Sequence, residues 1–255
     1  NVGAFLSGIV VGSVVAAYGG NWQMGFITAG IGMLLSLVIQ LMFARKLLGD
    51  VGVVPSAKAS KAMRKNASHH EPLTPEERDR IKVIFIMGVF TIIFWAGFEQ
   101  AGGLMNIYAN EFTNRVIGSF TVPTTWFQSL NPLFIVLFAP VFAALWVKMG
   151  DREPTSPVKF GLGLVLLGVG FLFMVGATLQ QGGDATVKTS MVWLVGAYFF
   201  HTMGELCLSP IGLSMVTKLA PLRLLSLMMG IWFGFTGLAN YVAGWVGSFI
   251  GHGDT

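Results

Sequence analysis

The sequence predicts an all-α membrane protein. Of its 255 residues, 54% are hydrophobic and 11% are charged, and its mean hydropathy is +0.70. In soluble domains about a quarter of the residues are charged, so these values exclude that class. Apolar segments long enough to cross a bilayer recur along the chain. Seven such segments are predicted, at roughly 2–18, 23–44, 83–108, 126–147, 158–179, 190–217 and 224–250.

The first segment is expected to be only part of a helix. The chain begins at Asn1, inside an apolar run and without an initiator methionine, which favours the loss of upstream helices. Gly8 and Gly12 form a GxxxG pair in this segment. Such a pair allows the backbones of two helices to approach closely.

A polar stretch divides the spans into two groups. The predicted domains are therefore 1–45, a linker over 46–80, and 81–255. If the linker is cytoplasmic, alternation of the spans places all of the sixteen lysines and arginines except Arg115 and Lys188 on that side. This distribution satisfies the positive-inside rule.

The end of the linker, LTPEERDR, has the pattern of a helix start. Thr74 is the expected N-cap, Pro75 follows in the first turn, and two glutamates come next. We therefore expect the third span to begin here.

Composition also excludes several classes of partner. The net charge of +4 belongs to topology signals on loops, so we expect no nucleic acid. Cys207 is the single cysteine and cannot form an internal disulfide. No set of Cys and His has metal-site spacing, and no nucleophile and base are paired, so we expect neither a metal, nor a cofactor, nor an enzyme.

Two acids fall deep within predicted spans. Ten of the twelve Asp and Glu lie in loops or at helix ends, whereas Glu99 and Glu205 lie near mid-span. Acids inside a membrane are costly and mark substrate, ion or proton paths, although a carboxylate hydrogen-bonded in helix packing is the alternative. No Lys or Arg lies at the same depth. The expected partner is therefore a proton, a ligand amine or a basic side chain on missing helices.

Polar residues accompany Glu205 at helical spacing. His201, Glu205 and Ser209 follow one another at intervals of four, with Tyr198 close by. This predicts one face that could hold a polar ligand group against the acid. His201 either relays protons or makes a structural hydrogen bond. Ser209 either contacts a ligand or bonds the carbonyls freed by Pro210.

A second face is predicted around Glu99. Trp95, Glu99, Gly102 and Asn106 would share one side of a continuous helix. Gly102 and Gly103 make a bendable point where another helix or a ligand can approach.

Two further residues in the apolar layer are candidates. Asn131, before Pro132, is either a ligand contact or a hydrogen-bonding link between helices. Trp232 is either a packing residue or, near Gly234 and Gly237, a gate to a cavity.

Three stretches resemble a known family. FWAGFEQ at 94–100, WFQSLNPLF and FAPVF within 126–142, and GELCLSPIGLSMVTKLAP at 204–221 are similar to the proton-dependent oligopeptide transporters of the major facilitator superfamily, most closely the bacterial peptide transporters. The resemblance covers nearly the whole chain and is most specific in the third stretch. It implies two six-helix bundles around a central cavity, of which this chain covers roughly helices 5 to 11 of 12.

The resemblance also implies residue roles. Glu205 would receive the amino terminus of a peptide, and Asn131 would contact the peptide backbone. Glu99 and Gln100 would serve proton coupling and gating. The other residues carried over as lining the pocket are Ser209, Trp232, Tyr198 and Phe98.

The implied function is proton-coupled import of di- and tripeptides by alternating access across the bacterial inner membrane. Its partners would be peptide, protons, membrane lipid and the missing helices, with the proton gradient as the driving force. One alternative is a proton-coupled carrier of another small solute, such as nitrate or an amino-acid derivative, in the same superfamily. Glu205 opposes an anion, because a fixed carboxylate repels it. A receptor or structural protein is the other alternative, against which two unpaired acids weigh.

Overall fold

The computed structural model describes residues 1–49 and 72–250, and within these ranges the chain is almost entirely helical. Six stretches of this part are long and apolar enough to cross a membrane, and the shorter α1 precedes them. The prediction of an all-α membrane protein is confirmed. Most of the basic linker, residues 50–71, lies outside the described residues. The helices are α1 (Val2–Ala17), α2 (Trp22–Leu48), α3 (Pro75–Phe98), α4 (Leu104–Glu111), α5 (Thr124–Gln128), α6 (Leu130–Met149), α7 (Ser156–Gln181), α8 (Met191–Leu219) and α9 (Leu225–Ile250).

The start of α3 is the capping box that its sequence predicts. Thr74 Oγ1 accepts a hydrogen bond from the Glu77 backbone, and the Glu77 carboxylate accepts one from the Thr74 N–H. The same carboxylate accepts from Arg223, at 2.8 Å, in the turn between α8 and α9. Two helix ends are thereby joined on the side where the linker enters.

The predicted span 83–108 lies within the candidate membrane span Pro75–Glu111, but it is not one continuous α-helix. The α-helix ends at Phe98, a 3₁₀ turn covers Glu99–Ala101, and α4 begins after Gly102 and Gly103. Two consecutive glycines have low helix propensity, and hydropathy cannot reveal the break because the residues on both sides are apolar. The predicted common face of Trp95, Glu99, Gly102 and Asn106 is therefore not formed.

The predicted span 126–147 also divides, at Ser129. The short helix α5 ends just before this residue and α6 begins just after it. Pro132 then falls in the first turn of α6, where its missing N–H costs no helical bond. Asn131 is consequently held at the very start of α6.

The central helix, α8, packs most closely on α7. A Cβ added to Gly204 would lie 2.7 Å from the Gly163 carbonyl oxygen, so the two backbones touch at this point. Cys207, on the same stretch of α8, is completely buried. Because α8 also packs on α3, α6 and α9, Glu205 lies on the best-anchored helix among those described.

The first group of helices meets the second through α1. Gly8 lies against Ser129 and Gly12 against Thr125, so that an added Cβ would approach the hydroxyl oxygens to 2.3 and 1.8 Å respectively. Gly8 and Gly12 are four residues apart, as are Thr125 and Ser129, and the two segments run in opposite directions. The GxxxG pair predicted to permit close approach thus fits against a matching pair of hydroxyl-bearing residues.

Four short strands lie at the opposite end of the bundle from the linker. They are β1 (Thr113–Asn114), β2 (Val116–Ile117), β3 (Phe120–Thr121) and β4 (Thr189–Ser190). The first pairs in parallel with the fourth, and the other two form a hairpin. This small structure ties the α7–α8 loop to the end of α4.

Candidate functional site

The side chains of Asn131 and Glu205 meet between α6 and α8. Asn131 Nδ2 donates to Glu205 Oε2 at 2.8 Å and also lies 3.2 Å from Thr202 Oγ1. Thr202 in turn donates to the Tyr198 carbonyl at 2.7 Å. Since an ionised carboxylate can only accept, the amide nitrogen must face it. Within the described ranges, Glu205 Oε1 and Asn131 Oδ1 have no partner, so one acceptor on each side chain remains available.

No cation neutralises this pair in the part of the chain that the structure describes. The ion pairs found there are Lys82–Asp79, Lys159–Glu153 and Arg223–Glu77, all near helix ends. Neither Glu99 nor Glu205 is among the ion pairs of residues 1–49 and 72–250.

Glu99 borders a separate cavity. It lies in the turn after α3, and its carboxylate has no hydrogen-bond partner among residues 1–49 and 72–250. The cavity, of about 360 Å³, lies between this turn, α4 and α9, and Asn240 and Gly244 are among its lining residues. Gln100 is buried, and its amide donates to the carbonyls of Ala96 and Ala243 at 3.0 and 3.1 Å.

Ser209 and Trp232 line another cavity, of about 170 Å³, between α3, α8 and α9. Trp95 and Phe233 form further parts of its wall. Ser209 lies one turn beyond Glu205 on α8. Trp232 is 6% exposed and also packs on Gly212, so it is at once a core residue and a cavity wall.

Tyr198 and His201 point away from these cavities. The Tyr198 hydroxyl donates to the Ala101 carbonyl at 3.0 Å, and its side chain is 2% exposed. His201 is 1% exposed and packs against Gly170. Neither of its ring nitrogens has a partner of good geometry among the described residues, although the Leu167 backbone lies close.

The predicted ligand-facing stripe of His201, Glu205 and Ser209 is therefore wrong as a single surface. Each step of four residues rotates a helix position by about 40°, so the three side chains diverge. His201 enters the core, Glu205 faces α6, and Ser209 reaches the cavity near α9.

Three residues that make polar contacts near the site were not predicted from the sequence: Thr202, which contacts Asn131, and Gln128 and Ala101, which are joined by a hydrogen bond from Gln128 Nε2 to the Ala101 carbonyl. Thr202 lies one turn before Glu205, and Gln128 lies in the quoted WFQSLNPLF stretch, so a polar residue in an apolar span was the available signal. The Ala101 carbonyl carried no signal, because only the helix break makes it available.

Comparisons with known proteins identify the family of the chain. The model of the POT family, PTR2, matches residues 45–255. The chain is 35% identical to the uncharacterized transporter YclF of Bacillus subtilis, over 91% of this chain and 55% of the relative. It is 31% identical to the peptide transporter YePEPT of Yersinia enterocolitica, over 98% of this chain and 59% of the relative.

Solved structures give the same result. A crystal structure of a peptide transporter POT in complex with alafosfalin superposes with a TM-score of 0.80 at 34% identity, covering 97% of this chain and 59% of that one. A POT family transporter in complex with 5-aminolevulinic acid gives a TM-score of 0.81 at 28% identity, over 98% and 61%. The chain thus spans little more than half the length of these proteins. It is an integral multi-pass protein of the bacterial inner membrane with the major facilitator fold, and it belongs to the POT family.

Proposed function

We propose that the protein is a proton-coupled symporter that imports di- and tripeptides by alternating access. The single observation that carries this proposal is the half-buried carboxylate of Glu205, which has a neutral partner in Asn131 and no cation nearby among residues 1–49 and 72–250. A peptide ammonium would supply the missing charge through a charge-assisted hydrogen bond to Oε1. The relatives that are named as peptide transporters support the same substrate class.

Asn131 orients the rest of the peptide in this proposal. Its Nδ2 is engaged by Glu205, and its Oδ1 accepts a backbone N–H of the substrate. Recognition of main-chain groups does not depend on the peptide sequence. The nearby cavity of Ser209 and Trp232 receives an apolar side chain, and its aromatic walls tolerate variety.

Glu99 is the proposed proton-coupling acid. Two carboxylates within the membrane-spanning layer are not both ionised without a countercharge. Binding of a peptide ammonium at Glu205 and of a proton at Glu99 together neutralise the site. The difference in affinity for protons and peptide between outward-open and inward-open states then couples the two gradients. The peptide carboxylate would be bound by a cation from outside this chain, since the relatives are longer.

The test uses the full-length protein in liposomes with a labelled dipeptide. Accumulation is expected only when an inward proton gradient is imposed. Glu205→Gln should weaken binding of the free dipeptide by about 30-fold or more, because a buried charge pair is truncated. Binding of the amino-acetylated analogue, which has no ammonium, should be affected little by this change.

Glu111→Gln is the matched control, since this exposed glutamate at the end of α4 lies far from the site. Accumulation that does not depend on the proton gradient would refute the proposed coupling of protons to peptide. Equal losses for free and acetylated dipeptides would refute the ammonium contact.

A second candidate is a carrier of amino-acid derivatives, favoured by the relative whose structure contains 5-aminolevulinic acid. Such a solute would also place its ammonium at Glu205. It lacks the peptide backbone that Asn131 would bind, so Asn131→Ala should impair its transport less than that of a dipeptide, because only the support of Glu205 is lost. The rates at which labelled dipeptide exchanges against unlabelled dipeptide and against unlabelled 5-aminolevulinic acid decide which is the better substrate.

A further inference from the structure

One backbone oxygen joins the parts of the chain that carry the two deep acids. The Ala101 carbonyl accepts a hydrogen bond from Tyr198 Oη at 3.0 Å and another from Gln128 Nε2 at 2.7 Å. Ala101 ends the 3₁₀ turn that begins at Glu99. The break at Gly102 and Gly103 interrupts the helical pattern in which a later N–H would bond this oxygen. The side chains of Gln128 and Tyr198, from other helices, bond this oxygen instead.

Both donors lead directly to the Glu205 pair. Gln128 ends α5 and lies three residues before Asn131. Tyr198 lies two turns before Glu205 on α8, and its carbonyl accepts from Thr202, which also contacts Asn131. Polar contacts therefore lead from the turn that carries Glu99 through Tyr198 and Thr202 to Asn131, and the backbone between α5 and α6 joins Gln128 to the same residue.

The turn is also held from its other side. Gln100 bonds Ala243 of α9, so the three residues after α3 are fixed by α5, α8 and α9 together. A change of charge at Glu99 that displaces the turn must displace these donors as well. The glycines that follow let the turn move without carrying α4 with it.

We propose that Gln128 and Tyr198 are positioning residues that transmit the protonation state of Glu99 to the Glu205–Asn131 pair. This inference rests on the proposed proton-coupled function. In this arrangement the Tyr198 hydroxyl is a link between helices. The competing interpretation is that both donors only satisfy a carbonyl freed by the helix break.

The experiment compares Tyr198→Phe and Gln128→Leu in the full-length protein, reconstituted in liposomes. Two rates are measured with labelled dipeptide: accumulation under an inward proton gradient, and exchange without a gradient. The ratio of accumulation to exchange should fall at least about fivefold in each variant, the lower end of typical couplings between sites. Tyr108→Phe is the matched control, because it removes a comparable tyrosine hydrogen bond, to Thr189 Oγ1, near the strands. Its ratio should match the wild type.

A double-mutant cycle with Glu99→Gln separates signal transmission from simple loss of stability. Because Glu99→Gln removes accumulation, the cycle is measured as dipeptide affinity: the change in affinity that Glu99→Gln causes should be smaller in the Tyr198→Phe background than in the wild type. Equal ratios in wild type and both variants, or additive effects of the two changes on affinity, would overturn the inference. Should one variant fail to fold, the other decides. A wild type that exchanges peptide without responding to the gradient would instead refute the proposed function.

Discussion

The Asn131 amide Nδ2 donates hydrogen bonds to Glu205 Oε2 at 2.8 Å and to Thr202 Oγ1 at 3.2 Å. Asn131, at the start of α6, thereby holds the acid of α8 in place. A hydrogen bond from a neutral amide orients a carboxylate without cancelling its charge. The pair is thus fixed in place, while no cation among the described residues neutralises the Glu205 carboxylate. This combination suits the binding of a cationic group.

Asn131→Ala should weaken dipeptide binding by about tenfold or more, since hydrogen bonds to charged groups contribute roughly 1.5–3 kcal/mol. The change removes both the support of Glu205 and the proposed contact to the peptide backbone. Isothermal titration of the purified protein measures it. Asn110→Ala is the control, because Asn110 bonds Arg115 beside the strands. Unchanged affinity in Asn131→Ala would argue against its place in the site.

Glu99→Gln should spare exchange of peptide but abolish its accumulation against a gradient. Glutamine occupies nearly the same volume and cannot take up or release a proton. Transport into liposomes, with and without an imposed gradient, distinguishes the two activities. Accumulation at the wild-type level would remove Glu99 from the coupling step.

Gly204→Ala should lower the thermal stability of the protein. The new methyl group would lie 2.7 Å from the Gly163 carbonyl oxygen and would force α7 and α8 apart. Overpacking of this kind costs about 1–3 kcal/mol. Gly168→Ala, on α7 with open space around it, is the control and should melt with the wild type. Equal melting temperatures for all three proteins would show that the helices are not in contact here.

Gly12→Ala should disturb the contact of α1 with α5, and Thr125→Ala should partly restore it. The added methyl group would lie 1.8 Å from Thr125 Oγ1, an atom that the second substitution removes. Melting temperatures of the single and double variants measure the effect, expected to be about 1–3 kcal/mol for the single change. Gly3→Ala, which meets nothing within 4 Å, is the control. Additive losses in the double variant would contradict this packing.

Hydropathy and capping chemistry predict most of this architecture. The spans follow from composition, and Thr74 caps α3 as its local sequence requires. The depth of Glu99 and Glu205 and the lack of a cation at that depth also follow from the order of residues alone.

Contacts between helices are harder to predict from the sequence. The break after Phe98 and the division at Ser129 both lie within apolar sequence, where hydropathy is uniform. The pairing of Asn131 with Glu205 depends on how α6 and α8 are rotated, which no periodicity specifies. The drift of successive four-residue steps also separates His201 from Ser209, two positions that sequence spacing alone had placed together.

The burial of Cys207 has a practical consequence. It is the one cysteine of the chain, and none of its surface is accessible to a reagent in water or lipid. Cysteines introduced at Ser7 of α1 and Asn114 of β1, both exposed, would be the reactive thiols of this chain. Spectroscopic labels attached there would report the distance between the two groups of helices during a transport cycle. The buried Cys207 of this chain would not take up label.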